Sequence, residues 1–126
     1  MWEILIICIW LSGKNFNFIF SDGHGVLGHE VSGYLRENLP VNLHNALKNK
    51  NKNILLHNIN NIIENVFLDI NDKLHSNEIV DTTFSGSTCV SLIYTPEKVI
   101  CANVGDSRAV LGRCVNGGKN IFIIFL

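Results

Sequence analysis

The sequence is poor in charge, in proline and in paired cysteines, and each shortage removes a class of protein. Only 17% of the 126 residues are charged and the formal net charge is −1. No basic stripe runs along the chain, so a nucleic-acid-binding surface is not expected. Low charge does not mean disorder here, because 47% of the residues are hydrophobic and the length suffices for one small packed domain. The four cysteines, Cys8, Cys89, Cys101 and Cys114, form no CxxC pair and no Cys/His metal spacing. Scattered in this way they read as reduced thiols, which points to an intracellular protein, cytoplasmic or nuclear. There is no internal repeat and no glycine-rich P-loop. No apolar run reaches the ~20 residues that a membrane-spanning helix needs, so no membrane association is expected.

What is present divides by period. Phe16 to Phe20 alternates apolar residues as a strand does. Gly28 to Asn38 carries Val31, Tyr34 and Leu35 on one side, which predicts a helix that ends ahead of Pro40. Val41 to Asn53 is rich in Asn and Lys and is expected to be the least packed segment, with a helical turn at Leu43 to Lys48. Ile54 to Leu74 repeats Leu55, Ile59, Ile62, Ile63, Val66, Phe67, Ile70 and Leu74 at three- and four-residue intervals. That is the strongest helix in the chain, and its apolar stripe fits cover for one face of a sheet.

Thr88 to Tyr94, Val99 to Val104 and Arg108 to Arg113 then read as strands. They are separated by Thr95-Pro96-Glu97-Lys98, with proline in the second place of a turn, and by Gly105-Asp106-Ser107. The expected arrangement is an antiparallel meander and the class α+β. If Thr95 to Lys98 forms the hairpin loop, Tyr94 faces Val99, Leu92 faces Cys101, Val90 faces Asn103 and Cys89 lies beside Val104. The thiols of Cys89 and Cys101 then sit too far apart along the ladder to pair.

The chemistry concentrates at Asp22-Gly23-His24-Gly25, directly after the first strand. Asp22 offers a hard carboxylate oxygen suited to Mg²⁺ or Mn²⁺. Gly23 has no side chain to keep its carbonyl from a metal ion. Histidine exchanges a proton near neutral pH, so His24 is a candidate general acid. The motif on its own is equally compatible with a polar turn.

Two stretches stand together, DGHGVLGHEVSGYLRENLP from Asp22 and SGSTCVSLIY...VICANVGDSRAVLGR from Ser85. Together they resemble the metal-dependent protein serine/threonine phosphatases of the type 2C family, over roughly Phe16 to Arg113 and in that family's order. The resemblance implies a β-sandwich of antiparallel sheets flanked by helices, with two Mg²⁺ or Mn²⁺ ions at one end. It implies that Asp22 bridges both metals, that Gly23 gives its carbonyl to one, and that His24 protonates the leaving alkoxide. A water activated between the metals would attack phosphorus in line, so no protein nucleophile is required. Asp106 matches an aspartate that some members use for a further, weaker metal; capping of its own turn is the alternative. Ser85, Gly86, Ser87 and Thr88 would pack and hydrogen-bond beneath the site. His29 has little claim to the site, and His44, His57 and His75 read as solvated or capping residues.

The chain also departs from that pattern. Ser21 stands where an aromatic residue is usual, shifting the strand's alternation by one. Only Glu3 and Lys14 are charged in Met1 to Phe20, so the acidic pair and arginine that usually precede the motif are not recognisable. Further metal-binding aspartates of the family do not follow Arg113.

Met1 to Leu11 is open to reading as a core strand, a weak signal sequence, or residues outside the domain; the last is favoured. The expected organisation is an unassigned apolar segment at 1–15, a partial phosphatase-like domain at 16–115, and an unassigned apolar tail at 116–126. The expected protein is a monomer acting on phosphoproteins, the chain alone being inactive. The rival reading is a non-catalytic phosphatase-like binding module.

Overall fold

The computed structural model describes residues 4–11, 15–48, 50, 52–76, 80–94, 98–115 and 120–125. The order of elements is β1 (Ile4–Leu11), β2 (Asn15–His24), α1 (Gly28–Leu47), α2 (Lys52–His75), β3 (Gly86–Tyr94), β4 (Val99–Val104), β5 (Val110–Val115) and β6 (Asn120–Phe125). Four strands form one antiparallel sheet in the order β1-β2-β3-β4, and β5 pairs with β6 in a second, two-stranded sheet. The class is α+β with antiparallel sheets, as the sequence pattern implied. The three-strand meander was not right, since the chain leaves the first sheet after β4. A turn at Gly105, whose φ is 97°, redirects it.

The central strand β2 runs longer than its apolar residues suggest. Asp22, Gly23 and His24 belong to it, and the turn begins only at Gly25. The reason lies across the sheet, where Asp22 pairs with Thr88, Gly23 with Ser87 and His24 with Gly86. The ladder holds these residues extended although their own propensities favour a turn.

Alternation along the strands sorts the two faces. Ile19, Cys89 and Ile93 enter one core with Leu35, Leu39 and Leu43 of α1 and Ile59, Ile63, Val66 and Ile70 of α2. The apolar period expected for α2 is therefore the stripe that is buried. Helix α1 is different, because it continues nine residues past Asn38, with Pro40 inside it. Proline cannot donate to the carbonyl one turn back, a loss normally sufficient to end a helix. Here Leu39 and Leu43 are 1% and 0% exposed, one turn apart on the buried side. Their burial outweighs the missing hydrogen bond. Val41 to Leu47, expected to be loosely packed, is the second half of this helix.

The β3–β4 register is the one expected, with Tyr94 opposite Val99, Leu92 opposite Cys101, Val90 opposite Asn103 and Cys89 opposite Val104. Both Cys89 and Cys101 are free thiols. Residues 95–97 of the hairpin loop lie outside the described residues, as do the side chains of β1, β6 and most of β5. No described helix is long and apolar enough to cross a membrane.

Candidate functional site

The site is assembled where the end of β2 meets the beginning of α1 and the beginning of β3. Gly23 and Gly28 lie back to back. A Cβ at Gly23 would stand 2.1 Å from the Gly28 carbonyl oxygen, and one at Gly28 would stand 2.6 Å from the Gly23 carbonyl carbon. Only two bare α-carbons let the helix start this close to the strand. Between them Gly25 turns the chain with φ at 83°, its α-carbon pressed against the Phe84 carbonyl and Ser85. The five-residue spacing of Gly23 and Gly28 is thus a packing requirement of this corner.

Ser85 secures the corner from the other strand. Its Oγ accepts the Leu27 N–H at 3.0 Å, across 58 residues of sequence. Leu27 precedes α1, whose first turn has no side-chain cap of its own. The hydroxyl therefore meets one of the amides that a helix start leaves unpaired. Thr88 and Ser107 share a hydrogen bond of 2.7 Å between their hydroxyls, tying the Gly105-Asp106-Ser107 turn to the same end of β3. Arg108 closes that turn by donating to the carbonyls of Gly105 and Ser107 at 3.0 and 2.8 Å. Asp106 itself is exposed within the turn.

Asp22, Gly23 and His24 thus share one end of the sheet with Ser85 to Thr88 and with the turn that carries Asp106. Asp22 is half-buried, and its Oδ1 is buried without a hydrogen-bond partner among the described residues. A carboxylate oxygen withdrawn from water with no donor is costly. Such an atom suits a cation, and the oxygens of Asp22 and of the Gly23 carbonyl are the hard donors that Mg²⁺ or Mn²⁺ prefers. They supply one edge of a coordination shell. Among the described residues, no group of three or more His, Cys, Asp and Glu side chains comes together to hold a metal ion.

His24 is exposed, with its ring lying against Gly86. A groove of about 560 Å³ opens beside it, polar at His24, Ser85 and Ser87 and apolar further in at Leu35, Ile63 and Phe67. His75 lines the same groove, its Nδ1 3.0 Å from Thr82 Oγ1. His29 is exposed beside Glu30. Sequence reasoning placed Ser85 to Thr88 near the site but missed what Ser85 and Gly86 each touch. The signal available was the glycine, an unusual residue in the interior of a strand.

A sequence profile of the family described as Protein phosphatase 2C matches residues 7–121. The chain is 38% identical over 90 residues to probable protein phosphatase 2C 35 of Arabidopsis thaliana, covering 71% of this chain and 24% of that one. It is 32% identical to probable protein phosphatase 2C 73 of Oryza sativa subsp. japonica, covering 86% of this chain and 31% of that one. It therefore spans between a quarter and a third of the length of these relatives. Among solved structures, a bacterial serine phosphatase in a point-mutant form shares the fold, with a TM-score of 0.66. That likeness covers 96% of this chain and 52% of the other at 22% identity. The profile match spans nearly the whole sequence, both glycine-rich stretches included, and on that ground the chain belongs to the protein phosphatase 2C family.

Proposed function

We propose that the chain is the part of a metal-dependent protein serine/threonine phosphatase that carries the bridging aspartate and the proton donor. The observation that carries this reading is the unpartnered, buried Oδ1 of Asp22 at a strand end shared with His24. The family is metal-dependent in general. Asp22 and the Gly23 carbonyl would hold Mg²⁺ or Mn²⁺, two ions in a complete domain, with Asp106 as a further metal position. When bound, such ions activate water and offset charge on the phosphoryl oxygens. Asp22 contributes the anionic oxygen that fixes them, already stripped of competing donors. His24 gives a proton to the departing serine or threonine oxygen, and its exposure lets a protein substrate reach it. The substrates are phosphoproteins, the protein acts as an intracellular monomer in cytoplasm or nucleus, and the phosphatase-like unit is residues 16–115.

A second reading, a phosphatase-like module that binds without catalysis, is favoured by one observation. The described residues gather no cluster of three metal-ligating side chains. Two measurements separate the readings. Millimolar Mn²⁺ should broaden the amide resonances of Gly23 and His24, and Asp22→Ala should abolish the effect. The 126-residue chain alone should hydrolyse p-nitrophenyl phosphate weakly, since one carboxylate cannot fix a dinuclear centre. Absence of any Mn²⁺ effect would favour the binding module. Robust turnover dependent on Asp22 would rule that module out.

A further inference from the structure

We propose that Gly86 is a positioning residue for His24, its bare α-carbon being the seat on which the imidazole rests, with Ser85 locking the turn beside it. The two residues are direct partners in the β2–β3 ladder. A Cβ at position 86 would stand 2.8 Å from Cε1 and 2.9 Å from Nε2 of His24, and 3.8 Å from Nδ1. The ring occupies the space that any other residue would fill with its side chain.

Backbone conformation does not account for a glycine here. The described glycines with left-handed φ are Gly25 and Gly105, and Gly86 is not among them. A glycine inside a strand gives up packing and adds chain entropy, so an ordinary strand position selects against it. What its missing side chain provides is room for the ring. An exposed imidazole otherwise samples several rotamers, and contact with the strand backbone selects one. Ser85, one residue earlier, accepts the Leu27 N–H and abuts Gly25. Adjacent residues of one strand therefore hold both the proton donor and the turn that follows it.

The kind of obstruction separates this glycine from its neighbours. At Gly23 and Gly25 the atoms that a Cβ would meet first are backbone, of Gly28 and Phe84. At Gly86 they belong to the far end of one flexible side chain. Gly86→Ala should therefore leave the fold standing and move the ring, whereas Gly23→Ala and Gly25→Ala should damage the corner itself.

The seat is a matter of geometry; its bearing on catalysis rests on the reading of His24 as proton donor. The test begins with nuclear Overhauser contacts in the intact chain. The wild type should show a contact between His24 Hε1 and the Gly86 α-protons. Gly86→Ala should lose it and shift the His24 Cε1 resonance, while the amide fingerprint away from the β2–β3 end is unchanged. Lack of the contact in the wild type, an unmoved ring in Gly86→Ala, or collapse of that variant's fingerprint would each overturn the seat. Ser85→Ala should speed exchange of the Leu27 amide and keep the ring contact, and loss of both would mean that the two residues do not act separately. Turnover then addresses the catalytic reading. Gly86→Ala should reproduce the effect of His24→Ala, lowering kcat on phosphoserine peptides more than on p-nitrophenyl phosphate with KM little changed. A displaced ring with unchanged selectivity would leave the seat standing and remove His24 as the donor.

Discussion

Asp22 and His24 are two residues apart and meet opposite environments, which suits the two tasks proposed for them. The Oδ1 of Asp22 is buried and unpartnered, while His24 is open to solvent. A general acid contributes most where the leaving group is a poor one, and its loss typically costs ~10²- to 10⁴-fold. In a chain with measurable turnover, His24→Ala is expected to depress kcat on phosphoserine peptides by that order and on aryl phosphates by less. Equal losses on both substrates would assign His24 another task. Cys89 makes a prediction of a different kind. Burial pushes its thiol up from an ordinary value of 9.0 to about 12. Between those values the unfolded chain has released the proton and the folded chain keeps it, so the folded state binds more protons. Stability should be fully present below pH 9 and fall as pH rises towards 12, and Cys89→Ala should flatten that slope in urea titrations. Cys101, half-exposed in the adjacent strand, should react with thiol reagents well before Cys89.

Helix α1 shows where local signals lose to packing. Truncating a fully buried leucine typically costs ~2–5 kcal/mol. Leu43→Ala should fall in that range, as urea denaturation would show, because Leu43 is wholly buried among residues of both helices and the sheet. A cost near zero would mean that the second half of α1 is not held as described. Reading Pro40 as a stop was a sound local inference that failed for a tertiary reason: the stripe of Leu35, Leu39 and Leu43 continues through it. The α2 stripe was legible because its apolar residues recur at the helical period without interruption. The β3–β4 register was legible because a four-residue loop fixes the pairing. The corner at Gly23, Gly25 and Gly28 was visible as a motif, yet its geometry was not, because no periodicity encodes which backbone a bare α-carbon must touch. The seat of His24 on Gly86 was hidden for the same reason, and so was the tie between Ser85 and Leu27.

At the scale of the whole molecule, one face of the four-stranded sheet is closed by two helices while the candidate site lies at the end of its inner strands. The core and the site are thus held by different contacts: apolar burial for the first, bare glycines and a few hydroxyls for the second. Substitutions in the corner should therefore separate the two. Ser85→Ala is expected to remove about 1 kcal/mol of stability, the usual net worth of one hydrogen bond, with the helical circular dichroism signal retained. Loss of that signal would show that corner and core are one unit. The tie from Leu27 to Ser85 also orders events in time. During synthesis the strand carrying Asp22 and His24 leaves the ribosome before both helices, and its seat and lock follow only with β3. Joining ends so distant along the chain is slow compared with forming either helix. The nascent protein is therefore mostly made, with α1 and α2 already able to coil, before it has a place to set its proton donor.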